Sequence, residues 1–299
     1  MATLRVWERR YGFPNATRTP GGHRLYAERE IARLRWVKAQ TDKGLHIGQA
    51  IRNLEHLEKN GRFPESLPQY DKVSGQQTEG FSREALRDSL TIALLSHDLE
   101  AADRLLGEAF PIYPLETLIL DIMGPTWAEI GEAWMSGRID AATEHLATNY
   151  LRHRLLMWLA SGPPARQLHP IVLACAPGEW HEGSLLMFSV LLRRQGWPVA
   201  YLGQSLPLPD LARFVKEIKP VAVVLVAMTE EPARALMEWP HWLPEAYSNN
   251  RPVMSFGGRI FTLQPEWRTK VPGIFLGLSL SEGLKKLDAL LREITGVLA

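Results

Sequence analysis

The stretch Pro177-Gly-Glu-Trp-His-Glu-Gly-Ser184 sets an imidazole, His181, two residues after the carboxylate of Glu179 and two before Gly183. A carboxylate so placed can hydrogen-bond one ring nitrogen and raise the basicity of the other, as happens at metal-ligating histidines. Gly183 removes side-chain bulk beside the ring, so a flat, large group could approach the backbone. Gly257 and Gly258 form a second small-residue pair, suited to a close ligand or a plain turn. A third group is Trp134 with Met135, followed after nine intervening residues by Glu144 and His145. A fourth is basic: Arg5, Arg9, Arg10, Arg18, His23 and Arg24 surround a Pro20-Gly21-Gly22 turn. Each group has an ordinary alternative: a loop histidine that caps a helix, a core tryptophan beside an exposed Glu-His pair, a solvated basic face.

The elements that position these groups follow from local patterning. Thr3–Gly12 reads as a short helix stopped by Gly12, and Arg18–Tyr26 as a hairpin about the Pro-Gly-Gly turn. Two amphipathic helices follow, over Glu28–Gly44 and His46–Gly61. Residues 61–81 carry Pro64, Pro68, Gly75 and Gly80 among polar residues and read as a linker. Residues 82–165 hold four helical segments with short connections, a small bundle. From 166 to 299 apolar runs alternate with helical ones. The runs are Pro170–Ala176, Pro198–Gly203, Val221–Met228, Pro252–Gly258 and Gly273–Gly277, which predicts a parallel sheet covered on both faces. Ligands bind at the carboxyl ends of such strands. His181 falls at the end of the first.

The chain has 299 residues, enough for two or three domains. A single cysteine, Cys175, excludes an internal disulfide framework and a multi-cysteine zinc site. The apolar runs are too short to span a membrane and the start lacks a secretory pattern, so a cytoplasmic protein is expected. Residues 1–60 carry twelve Lys/Arg against six Asp/Glu, although the whole chain nets only +1. A basic head on a slightly acidic body points to a polyanionic partner for the head.

Three resemblances lie along the chain. Gly178-Glu-Trp-His-Glu-Gly-Ser184 with Gly257–Gly258 resembles the cobalamin-binding Rossmann-like domain, in which an Asp/Glu-x-His-x-x-Gly loop puts its histidine on cobalt. That implies His181 as cobalt ligand and Glu179 as its acidic partner. Gly183 comes one residue early, with Ser184 at the pattern's glycine, and Val226–Met228 stands where the family has Ser-x-Leu. Trp180, next to the ligand, either shields the lower face of the corrin or packs elsewhere. Trp134-x9-Glu144-His145 resembles the signature of light-responsive, adenosylcobalamin-binding regulators of the CarH/LitR class. The resemblance implies that the bundle covers the upper face of the corrin, with Trp134 against the adenosyl group and Glu144 and His145 helping to hold it. Met135 replaces the histidine that can capture cobalt after illumination in that class. The basic head resembles the winged-helix DNA-binding domain of the MerR family. Leu4, Trp7 and Tyr11 would hold the recognition helix, with Arg5, Arg9 and Arg10 in the major groove and on phosphates. Arg18, His23 and Arg24 belong to the wing. Met1 falls where the recognition helix should already be under way, so the head is expected to lack its first helix.

The expected fold is therefore multidomain: a winged helix-turn-helix head (1–60), a linker, a four-helix bundle, and a Rossmann-like cobalamin-binding domain with a parallel sheet. The function implied is that of a repressor, not an enzyme, which binds adenosylcobalamin and a double-stranded DNA operator. It would form a dimer or tetramer in darkness and be released by light. Alternatives are a corrinoid carrier of a methyltransferase-like system, or a cobalamin photosensor decoupled from DNA, with or without a bilin as second pigment.

Overall fold

The computed structural model describes residues 7–8, 10–15, 17–18, 24–26, 28–42, 45, 47–59, 82–165, 169–249 and 251–295. The expected linker, residues 61–81, lies outside them. The chain divides into two compact units, one of residues 1–82 with 107–114 and the other of residues 83–106 with 115–299.

In the head, the first helix ends where Gly12, at φ +63°, donates its N–H to Glu8 O at 3.0 Å. Strands β1 (Thr17–Arg18) and β2 (Arg24–Leu25) pair antiparallel, which makes the expected hairpin. Helices α1 (Glu28–Asp42) and α2 (Ile47–Lys59) pack around Phe13, Val37, Ala50, Ile51 and Leu54. Trp7 and Tyr11 close the margin of this small core. Arg33 ties α1 to α2 through Glu58 at 2.9 Å.

The bundle comprises α3 (Arg83–Leu95), α4 (Leu99–Ala109), α5 (Gly124–Met135) and α6 (Ala141–Ala160). Leu86, Leu90 and Leu94 on α3, and Ala147, Leu151 and Leu155 on α6, fall four residues apart and are all buried. Helix α5 is entered through a π-helical stretch, Leu118–Met123, which the sequence pattern alone did not suggest. Pro125 is the physical reason. It lacks an N–H and its ring crowds the carbonyl one turn back, so the turn widens and Gly124 N–H bonds to Ile119 O. Asp140 caps α6, accepting from Thr143 N at 2.8 Å.

The sheet is wholly parallel, with order β4-β3-β5-β6-β7. Its strands are β3 (Ile171–Cys175), β4 (Val199–Gly203), β5 (Ala222–Val226), β6 (Val253–Gly257) and β7 (Ile274–Phe275). Alternate residues feed two cores. Val172, Ala174, Val223, Leu225 and Phe256 meet α8 (Leu208–Ile218) and short helical turns on one face. Ile171, Leu173, Val224 and Val226 meet α7 (Gly183–Arg194) and α9 (Leu280–Thr295) on the other. The fifth strand is shorter than its apolar run, Gly273–Gly277, because glycines at φ +110° and +135° bound it. Between β5 and β6 the chain runs in short turns, since Pro232, Pro240 and Pro244 interrupt longer helices. The chain leaves β3 toward β4 on one side and returns to β5 on the other. The crevice at this switch point lies at the carboxyl ends of β3 and β5.

Candidate functional site

The loop after β3 is braced by hydrogen bonds to its own neighbours. Glu179 is 1% exposed. Its Oε1 accepts from His181 N at 2.8 Å and lies 2.7 Å from His181 Nδ1. Its Oε2 accepts from Met228 N at 2.6 Å, just past β5. A carboxylate is acceptor-only, so this contact favours a proton on Nδ1 and, in the neutral ring, leaves Nε2 as the nitrogen with a lone pair. The His181 side chain is 69% exposed, with Nδ1 turned to the buried Glu179 and Nε2 on the opposite side of the ring. The loop after β4 braces the same segment: Ser205 N donates to Glu179 O, Ser205 Oγ accepts from Gly178 N, and Gln204 Nε2 donates to Trp180 O. Ser205 holds φ +45°, backbone strain of the kind retained where a loop must be placed. The Trp180 indole itself is 65% exposed and packs into neither core.

Four residues that sequence reasoning missed stand immediately behind His181. Glu182 is buried and accepts from Arg152 Nε of α6 at 2.5 Å and from the Tyr201 hydroxyl of β4. Burial and the Glu182 hydrogen bond push the Tyr201 phenol far up, so it stays a donor. Trp127 lies over Gly183, where a Cβ would meet indole carbons at 3.1–3.3 Å. The flat group that lies against the Gly183 backbone in this structure is the chain's own Trp127. Only the chain fold brings these residues together; the signal available was a Glu-Gly dipeptide behind a histidine. Cys175, under the loop, has its thiol pushed up to about 12 by burial and by the carboxylates of Glu179 and Glu182. It is not a thiolate donor. Alkylation of the folded protein at pH 8 is expected to run roughly a thousandfold slower than after denaturation, since the thiolate is that much scarcer. Equal rates, followed by mass spectrometry, would exclude this burial.

On the bundle side, Trp134 and Met135 end α5 and are 48% and 64% exposed. Glu144 and His145 begin α6 and pair with each other, His145 Nδ1 to Glu144 Oε2 at 2.5 Å. Glu144 Oε1 also accepts from Thr148 at 2.7 Å. Helical periodicity relates these residues to the loop. Trp134 lies two turns from Trp127 on the same face of α5, and His145 two turns from Arg152 on α6. Helices α5 and α6 are joined by a short turn, so both sets lie at its end, about 10 Å beyond the Trp127 and Arg152 contacts. By this periodicity Trp134 and His145 share helix faces with Trp127 and Arg152, the residues that touch the loop of His181.

The glycine pair separates into two roles. Gly258 is at φ +125°, and a Cβ there would lie 2.0 Å from Ala227 O. Backbone packing between β5 and β6 requires this glycine. A Cβ at Gly257 meets nothing within 4 Å, so Gly257 borders open space. Ser184 Oγ is buried without a hydrogen-bond partner among the described residues. Met228, in the place of the pattern's Ser-x-Leu, gives its amide to Glu179 and accepts from Arg259 N through sulfur at 3.4 Å.

Residues 1–57 match the MerR HTH family regulatory protein domain, and residues 86–157 the B12 binding domain. Over 253 residues the chain is 33% identical to the HTH-type transcriptional repressor CarH of Myxococcus xanthus, covering 84% of this chain and 82% of that protein. The chain belongs to the CarH family of MerR-type, B12-binding transcriptional regulators. The HTH-type transcriptional repressor CarA of the same organism is 29% identical over 296 residues, 98% of this chain and 92% of that one. Among solved structures, 70% of the chain matches the whole of the Methanosarcina barkeri monomethylamine corrinoid protein, with TM-score 0.59 at 15% identity. That likeness is one of fold.

As a CarH-family member the protein binds DNA and cobalamin, and the residues present fit a corrin. Among the described residues no group of three or more His, Cys, Asp or Glu could hold a bare metal ion. One exposed imidazole suits a metal that arrives already chelated by a macrocycle. The unpartnered Ser184 Oγ and the space at Gly257 suit a polar group entering beside the sheet. In the DNA-binding head, Arg10 is exposed, with its guanidinium 6.0 Å from the Tyr11 ring. Arg18 and Arg24 are cross-strand partners in the hairpin. Arg5, Arg9 and His23, and Leu4 of the expected recognition helix, lie outside the described residues. No described helix is long and apolar enough to cross a membrane.

Proposed function

We propose that the protein is a light-gated transcriptional repressor that holds adenosylcobalamin between bundle and sheet, with His181 on cobalt. The observation that carries this reading is the exposed imidazole of His181, set by a buried Glu179 that holds Nδ1. Trp134 would fill the space around the upper ligand, while Glu144 accepts hydrogen bonds from its hydroxyls and His145 orients Glu144. Bound adenosylcobalamin supplies a cobalt–carbon bond that light cleaves. Loss of the upper group would leave Trp134 and Glu144 with nothing to hold, and would loosen the bundle on the sheet. Met135 is a soft thioether where an imidazole could have replaced the lost ligand, so capture of cobalt by this residue is disfavoured.

In the head, Arg5, Arg9 and Arg10 would reach the major groove and phosphates of an operator, with Arg18, His23 and Arg24 on the backbone at the wing. Assembly into a dimer or tetramer in darkness, in the cytoplasm, would multiply weak single-head affinities by avidity. A switch from 1:99 to 99:1 needs the cofactor to favour the assembled state by about 5.5 kcal/mol.

Size-exclusion chromatography with absorbance detection tests the reading. Protein loaded with adenosylcobalamin is expected to elute in darkness as an oligomer carrying the corrin, and as a smaller particle after green light. A corrin-bearing particle of unchanged size would sink the light gate and favour a carrier or a decoupled sensor. Failure to bind any corrin would sink the whole reading.

A further inference from the structure

Glu182 follows His181 directly and joins three elements. Its carboxylate takes Arg152 Nε from the bundle at 2.5 Å and the Tyr201 hydroxyl from β4. Its backbone carbonyl accepts Leu186 N at 2.9 Å, closing the first turn of α7. It is 4% exposed, and a carboxylate this buried is costly unless a cation pairs with it. Arg152 is that cation, and it belongs to the bundle. One residue later, Trp127 of the bundle lies on Gly183. So His181 is held from the sheet by the residue two before it, and from the bundle by the two residues after it.

We infer that Arg152 is a positioning residue for cobalt ligation: through Glu182 it sets the backbone of His181, and it transmits bundle displacement to the ligand. This rests on His181 as the cobalt ligand. The seat of the bundle and the reach of the imidazole are thereby one mechanical unit. A bundle that leaves the sheet pulls on, or abandons, the buried carboxylate next to the ligand. Arg154, two residues on, supplies the contrast. It pairs with Asp103 of α4 and lies over the Tyr150 ring, both inside the bundle.

The test compares Arg152→Gln, Arg152→Lys, Arg154→Gln and His181→Ala in the full chain. Without cofactor, amide hydrogen exchange over residues 181–186 is expected to rise about tenfold or more in Arg152→Gln and to stay at the wild-type rate in Arg154→Gln. With cobalamin, Arg152→Gln should bind about 10- to 100-fold more weakly, the usual cost of losing a group that supports a metal ligand. It should also lose part of the histidine-ligated absorbance spectrum. Arg152→Lys, which keeps the charge within reach, should recover most of both. Exchange and ligation at wild-type level in Arg152→Gln, or equal losses in Arg154→Gln, would overturn the inference while leaving His181 as ligand. If His181→Ala keeps the wild-type spectrum, the ligation itself fails and this role of Arg152 fails with it. Should Arg152→Gln not fold, Arg152→Lys carries the comparison, and its failure to ligate better than His181→Ala would overturn the inference too.

Discussion

His181→Ala is expected to lose the histidine-ligated spectrum of cobalamin and to bind it at least ~100-fold more weakly, more than the loss of a supporting partner costs. The imidazole is not free to wander: Glu179 Oε1 sits 2.7 Å from Nδ1, and the same oxygen accepts from His181 N. The ring is therefore oriented by the protein's own carboxylate, which lessens the ordering that would oppose ligation. Glu179→Gln makes the sharper companion. Its amide oxygen can still accept from His181, but its NH₂ then faces Met228 N–H, donor against donor, where a carboxylate oxygen now accepts at 2.6 Å. We expect about a 10- to 100-fold weaker complex that keeps a histidine-ligated spectrum at saturating cobalamin. Titration followed by absorbance distinguishes the two. An unchanged spectrum in His181→Ala would move the metal to another residue.

Gly258→Ala is expected to abolish cooperative folding of the sheet domain, while Gly257→Ala folds normally and binds cobalamin poorly. At Gly258 the new methyl would fall 2.0 Å from Ala227 O, a backbone atom that cannot step aside without parting β5 from β6. The backbone at φ +125° is also one that residues with a Cβ avoid. Together these should cost at least ~4 kcal/mol, a large part of the 5–15 kcal/mol that domains have. At Gly257 a methyl meets nothing, and alanine even lowers the entropy cost of ordering the strand by about 0.5–1 kcal/mol. Its only cost would fall on whatever occupies the open space. Thermal melting and cobalamin titration of the two proteins check this. A Gly257→Ala protein with wild-type affinity would remove that residue from the site.

Particular residues mark how far the amino-acid order alone reaches. The order β-strand, loop, helix around Glu179 and His181 was legible because apolar runs and their turn residues are local signals, as was the Glu179–His181 hydrogen bond across two positions. The basic head and the hairpin about Pro20–Gly22 were legible for the same reason. Gly183 was not. Its glycine has a meaning only when Trp127, fifty-six residues earlier, is seen lying on it. Nor could Glu182 be singled out from the other acidic residues, because what distinguishes it is burial beside Arg152 and Tyr201. The π-helical stretch before Pro125 sat inside a continuous helical pattern and left only a Gly-Pro pair as its trace.

By itself, then, the sequence determined the kinds of elements, their order, and the imidazole placed at the carboxyl end of the first sheet strand. These depend on side-chain periodicity and turn chemistry within a few residues. Tertiary structure alone decided which glycine packs against backbone and which borders open space. It also decided that the bundle reaches the ligand loop through Arg152 and Trp127. Those facts depend on pairs of residues far apart in the chain, where burial turns an ordinary carboxylate into a group that must be paired and an ordinary glycine into the only residue that fits.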